Sequence, residues 1–221
     1  MINCVNVETA KYFGDALASN FQLRYKSLID QQYWRLSHFK GMEYDQYDTP
    51  AASYLVWQDQ DGVVRGSVRV TPTDRPYMLQ EIWPDMVKGV ELPSSLSVWE
   101  ATRFCVDPEL KKPERRRIVA ELVLGFLEFG LKNDIKQMIG VMPKQLWESC
   151  FIKNGWEIEY IGTEKTFDDG SKIMAGLMPI SIEMLQRVRQ KTLIKHPIIN
   201  ANLTEISKTN ILHGIDFKEA A

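Results

Sequence analysis

Two arginines stand inside stretches that otherwise read as buried strand: Arg69 within Gly66-Ser67-Val68-Arg69-Val70, and Arg103 within Trp99-Glu100-Ala101-Thr102-Arg103-Phe104. A guanidinium in such a place is costly unless it faces water from an edge strand or meets an anion. The chain carries three carboxylates within six residues in the run Glu43-Tyr44-Asp45-Gln46-Tyr47-Asp48. Carboxylates this close repel one another, and something positive must offset that if they converge. Solvent does so if the loop is exposed; otherwise buried arginines or a cationic substrate must. An EF-hand calcium loop does not fit, because neither its glycine nor its closing glutamate follows. Period-two counting puts Arg65 and Arg69 on one strand face but Glu100 and Arg103 on opposite faces. A β-bulge between Glu100 and Arg103 would bring both to one side, and bulges concentrate beside active sites.

The rest of the chain is ordinary enough to bury such a set. Of its 221 residues 44% are hydrophobic and 25% charged, which suits one globular domain with a real core. Lys and Arg number 27 against 29 Asp and Glu, so bulk electrostatic attraction to nucleic acid is not expected. Cys4, Cys105 and Cys150 lie far apart, and with His38, His196 and His213 they form neither a metal-ligand spacing nor a triad. No metal is therefore expected. An odd cysteine count fits reduced thiols and a cytoplasmic protein. No apolar run approaches the ~18 residues of a membrane helix, and the N-terminus lacks the basic-then-apolar pattern of a secretory signal. Membrane insertion is not expected.

Periodicity divides the chain into mixed elements. Residues 1–7 read as a short strand. Tyr12, Phe13, Leu17, Phe21 and Leu28 give helical spacing over Glu8–Ile29, and Trp34–Pro50 reads as an unusually long loop. Strands follow near Ser53–Gln58 and Val63–Thr71, with Asp61-Gly62 as the hairpin signal, and again at Leu96–Val106. A helix over Arg116–Lys132, a strand at Met138–Val141, and a helix over Lys144–Asn154 ended by Gly155 come next. Two strands, Trp156–Ile161 and Ile173–Met178, joined through Asp168-Asp169-Gly170, lead to a helix from Ile182 to about Thr192. The expectation is a single α/β domain with a mixed sheet over 1–193, followed by a loosely packed tail, 194–221.

In this order, the residues resemble the acyl-homoserine-lactone synthases, the autoinducer synthases of bacterial quorum sensing. The resemblance covers roughly residues 1–190. It rests on Arg24, Trp34, the Glu43-x-Asp45-x-x-Asp48 loop, Arg69, and Glu100 with Thr102-Arg103-Phe104. Leu28 stands where the family often has Phe, and Met78-Leu79-Gln80-Glu81-Ile82-Trp83-Pro84 has Trp83 in place of the motif's Phe. Both changes keep an apolar wall.

The resemblance implies a fold like the N-acetyltransferases, an α/β/α sandwich whose mixed, twisted sheet splays into a V-shaped cleft. It implies that an acyl thioester acylates the amino group of S-adenosylmethionine, a co-substrate rather than a tightly bound cofactor, and that lactonisation then expels methylthioadenosine. Glu43 and Glu100 are the candidate bases. Arg24, Trp34, Asp45, Asp48, Arg69, Arg103 and Phe104 are the expected substrate-binding residues, with Trp34 near the sulfonium. Trp83, Met138, Val141 and Met142 are expected to line the acyl pocket. Family members making 3-oxo products often carry Thr at the position of Val141, so unsubstituted acyl chains are favoured here. Lys111, Lys112, Arg115, Arg116 and Arg117, with only Glu114 among them, suit an acyl carrier protein surface, or else form a solvated basic face. No glycine lies between Asp107 and Leu124 to wrap the pyrophosphate of free coenzyme A, which favours the carrier over acyl-coenzyme A. The alternatives are a general acyl-coenzyme-A-dependent N-acyltransferase and a catalytically inactive ligand-binding relative.

Overall fold

The computed structural model describes residues 1–31 and 35–200. In chain order the elements are β1 (Ile2–Val5), α1 (Ala16–Arg24), β2 (His38–Phe39), β3 (Met42–Glu43), β4 (Ser53–Gln58), β5 (Val64–Pro72), α2 (Met78–Ile82), β6 (Val98–Val106), α3 (Lys112–Lys132), β7 (Gln137–Met142), α4 (Lys144–Leu146), β8 (Glu159–Thr166), β9 (Lys172–Pro179) and α5 (Ile182–Thr192). Seven strands form one mixed sheet in the order β1-β4-β5-β6-β7-β9-β8, in which only β6 and β7 run parallel. This is the expected N-acetyltransferase-like sandwich. No described helix is long and apolar enough to cross a membrane.

Alternation along the strands sends two different sets of side chains to the two faces. The back face gathers Leu55, Trp57, Val68, Val70, Ala101, Met138 and Met178 under α3, which contributes Ile118, Leu122, Phe126 and Phe129. Removing this much apolar surface from water is the main stabilising term of the domain. The front face packs α1 onto Tyr54, Val56, Val64 and Cys105, and α2 with its flanks onto Ile139, Ile173 and Ala175.

Two irregularities position the site. Between Ser67↔Cys105 and Arg69↔Thr102 the register of β5 and β6 shifts by one, so that Arg103 and Phe104 together stand opposite Val68. Arg103 takes a left-handed φ of 56°, and the anticipated bulge is thereby present. The parallel pairing of β6 with β7 stops at Ala101↔Gly140, although both strands continue. The sheet splits open there.

Local chemistry also overturned some expectations. The helix anticipated over 8–29 is broken: Gly14 turns left-handed (φ 54°), α1 starts after it, and a wide π-type turn over Tyr25–Asp30 closes the segment. The long loop before Pro50 contains the β2–β3 hairpin, whose Lys40 and Gly41 both have positive φ, as a type I′ turn demands. Helix α2 carried no periodic signal because it is only five residues long. Part of the stretch expected to be a loose tail is tied down. Ile2 N donates to Ile198 O at 2.8 Å, Asn200 N donates to Ile2 O at 2.9 Å, and the Glu128 carboxylate accepts from the N–H of Ile198 and Ile199. Ile198 and Ile199 are buried, and their apolar pair closes one end of the core. Residues 201–221 lie outside the described residues, as does Trp34.

Candidate active site

The front of the sheet, where α1, the 43–48 loop, β5 and β6 meet, holds six ionised side chains in one network. Arg24 ends α1 and is fully buried. Its Nε donates to Glu43 Oε2, while Nη1 and Nη2 clasp Asp48 at 2.7 and 2.9 Å. Arg69 holds Asp45 with both terminal nitrogens, lies 3.0 Å from Asp48, and donates from Nε to Thr102 Oγ1 at 2.9 Å. Arg103 donates from Nε to Glu43 Oε1 at 3.1 Å and from Nη2 to Asp45 Oδ2 at 2.6 Å. Three guanidiniums thus meet three carboxylates, and every carboxylate touches two arginines. Planar, bidentate pairing of this kind is what lets such charges stay buried.

The network explains the charge states. Burial alone would push Asp48 up, but the Arg24 clasp, the Arg69 charge and the Asp45 N–H hold it well below the usual carboxylate range. Burial works against the Arg24 cation, yet Asp48 and Glu43 push its pKa above the ordinary arginine value. Tyr54, the register partner of Arg69, donates its hydroxyl to Asp48 at 2.8 Å. Tyr47 lies under the Arg69 guanidinium and donates to Glu81 of α2 at 2.7 Å, tying that helix to the loop. Sequence reasoning missed Tyr54, Tyr47 and Thr102. The signal that finds them is strand register: position 54 faces Arg69 on one side, and position 102 faces it on the other.

Glu100 differs from the other carboxylates. It is 1% exposed and has no arginine partner among the described residues; it accepts from the N–H of Met78 and Leu79, at 2.9 and 2.7 Å, at the start of α2. Burial pushes its carboxyl up to about 7, against the two N–H donors and the Arg69 charge. The bulge places Arg103 on this same front face, with its Nη1 3.3 Å from Met78 Sδ.

The remaining expected site residues are divided. Phe104 turns to the back face, 5.4 Å from the ring of Phe151 and stacked near Phe126. Met138 is completely buried and Met142 partly so, both in the back core; Val141 and Trp83 pack at the front with Tyr77 and Leu79. These four therefore do not form one surface, because neighbours on β7 alternate faces. Lys111, Lys112, Arg115, Arg116 and Arg117 are all exposed around the start of α3, just beyond the open end of the split. Arg117 lies loosely by Glu114 and Glu121, whereas the other four make no ion pair among the described residues. Arg65 serves elsewhere, held by Asp59 and Asp107 at 2.7 and 2.8 Å.

A family model described as "Autoinducer synthase" matches residues 11–188. The chain belongs to the autoinducer synthase family. Its activity is acyl-homoserine-lactone synthesis, an acyl transfer that serves quorum sensing. The acyl-homoserine-lactone synthase of Acinetobacter nosocomialis is 39% identical over 175 residues, covering 76% of this synthase and 94% of that protein. Among solved structures, the CoA-dependent acyl-homoserine lactone synthase MesI superposes with a TM-score of 0.77 at 25% identity, over 91% of this synthase and 100% of that chain. TofI, solved in a ternary complex with an inhibitor and MTA, does so with a TM-score of 0.65 at 29% identity, over 78% and 89% of the two chains.

Proposed function

We propose that this synthase binds S-adenosylmethionine against the front network and acylates its amino group at the split between β6 and β7. The observation that carries this reading is the contrast between the balanced, arginine-locked trio Glu43, Asp45 and Asp48 and the unlocked Glu100 beside them. Glu100 takes the proton of the attacking amine, directly or through one water, since its pKa of about 7 suits a base working near neutrality. Glu43, held by two arginines, is a positioning group. The N–C bond forms as the thioester C–S bond breaks, and the departing thiolate recovers a proton. Beyond Ala101, β6 has lost its β7 partner just where the bulge follows, and this supports backbone N–H groups at Thr102–Phe104 as the donors to the oxyanion. In the second step the substrate carboxylate attacks the carbon next to sulfur, and methylthioadenosine leaves. MTA bound in TofI supports that assignment.

The donor is a thioester on an acyl carrier protein. Five exposed cations at the mouth of the split suit an acidic carrier. Buried Asp107, bound to Lys26 and Arg65, occupies the turn after β6, and no glycine loop is there to receive a pyrophosphate. Such a partnership belongs in the cytoplasm. Purified protein supplied with S-adenosylmethionine and either acyl-carrier or acyl-coenzyme donors is the test, with lactone and methylthioadenosine read by mass spectrometry. Lactone from carrier-bound donors at lower KM than from coenzyme donors supports the whole reading. Preference for the free coenzyme overturns the donor assignment, and no lactone from any donor overturns acyl transfer itself.

A further inference from the structure

The back of the split is built in a way that acyl transfer does not by itself require. Gly140 and Gly176 are register partners on β7 and β9, and Gly140 also faces Ala101 of β6. Three small residues thus make a trough across three strands, at the last paired rung before β6 and β7 separate. The indole of Trp147 lies in that trough. Its Cη2 stands 3.4 Å from where a Cβ on Gly140 would be, and its Cζ2 3.2 Å from the same point on Gly176. The ring is fully buried, and its Nε1 donates to Met174 O at 3.0 Å. Phe151 packs 5.3 Å away, and Phe104 stands 5.4 Å beyond Phe151, at the half-buried edge of the opening.

We propose that Trp147, seated on the Gly140–Gly176 pair, is the end wall of the acyl channel and restricts this synthase to short acyl chains. The inference rests on acyl transfer at the split. With the thioester carbonyl beside Glu100 and the donor outside the mouth, the acyl tail has two directions. The front is filled by six ionised groups, where an apolar tail would disrupt paired charges. The back is apolar, so the tail goes there and stops at the first ring that cannot yield. Phe104 is only half buried, and its ring has no hydrogen bond to hold it. Trp147 is pinned: it is fully buried, and swinging it away breaks its bond to the Met174 carbonyl. Glycine at both strand positions lets so large a ring sit this deep: a Cβ on Gly176 would crowd the indole as well as Ile158, and one on Gly140 would already be in van der Waals contact with it.

The test uses the full-length synthase with S-adenosylmethionine and butanoyl, octanoyl and dodecanoyl donors on one carrier, measuring kcat/KM for each. Trp147→Leu should raise the dodecanoyl-to-butanoyl ratio by about tenfold or more, because each methylene accommodated in an apolar pocket carries discrimination of that order. Trp147→Met, closer in volume, should move the ratio the same way by less and covers the case in which the leucine variant does not fold. Unaltered ratios, or equal loss with every donor, in a folded Trp147 variant overturn the proposal. Absence of lactone from the unaltered protein with all donors overturns acyl transfer, a distinguishable result.

Discussion

The two faces of the sheet at the split solve opposite problems. At the front, six largely buried charges satisfy one another, Arg24–Asp48 and Arg69–Asp45 bidentately and the rest through single bonds, so each group depends on its partners and no single charge can be removed alone. At the back, Phe104, Phe126, Trp147, Phe151 and Trp156 touch ring to ring, and what matters is volume. Electrostatic order of the first kind sets orientation and charge state, whereas packing of the second kind sets shape. On the readings proposed above, the front fixes the chemistry and the back chooses substrate size.

The sharpest way to break this comparison is to remove one front charge. Arg69→Ala should abolish turnover and lower stability by about 3–5 kcal/mol in denaturant unfolding, since Asp45 and Asp48 are left buried without their shared partner. Pairing it with Asp45→Asn should return part of the stability and none of the activity. Full activity in either variant would sink the claim that this network holds the substrate.

Glu100→Gln comes next and tests the base. It should cost about 10²–10⁴ in the acylation rate, and it should erase the rise in kcat expected of the unaltered enzyme as pH climbs through about 7. Stability has the reverse slope. Because burial raises the folded-state pKa of Glu100 above its ordinary value, its contribution is fully present below the unfolded pKa and is lost as pH rises through about 7. The Gln variant should therefore lose less stability between pH 5 and 8. A retained kinetic limb near pH 7 would assign the proton to another group.

Tyr54→Phe probes whether Asp48 needs its third side-chain partner. Loss of one buried hydroxyl donor should cost about 1 kcal/mol. A positioning role predicts a fall in kcat with little change in the KM for the acyl donor. Restoring kcat is not possible by packing alone, so a KM effect without a kcat effect would make Tyr54 merely structural. The smallest stability effect belongs to the basic run: Arg115, Arg116 and Arg117 changed together to Gln should move stability by less than about 0.5 kcal/mol per site. The carrier KM should rise and lose its salt dependence. Carrier kinetics indifferent both to salt and to these changes would refute docking there.

Much of the front was legible from sequence. Arginine flanked by Val68 and Val70 called for an anion or an edge facing water, the 43–48 run offered three carboxylates, and the opposite parity of Glu100 and Arg103 was open to a bulge, which stands at Arg103–Phe104. The same parity rule was not carried onto β7, where Met138 and Val141 were grouped though they face opposite sides. Phe104 likewise belongs with the back rings rather than with the charges, because the bulge that rescues Arg103 also resets its neighbour. Helix α2 escaped notice because five residues hold too few turns for a period, and what defines it is the remote carboxylate of Glu100 capping its first N–H groups.

By itself, then, the sequence determined the alternation of elements, the family and the identity of the charged set, since these depend on local periodicity and on residue types that cannot be buried unpaired. Only the tertiary structure decided which carboxylate stays free of arginine, which face each pocket residue serves, and that Ile198 and Ile199 close the core beside β1. Those outcomes depend on strand register and on contacts between residues tens of positions apart, for which a linear pattern carries no signal. A one-residue shift in pairing moves a side chain to the other face of the sheet, and with it from chemistry to packing.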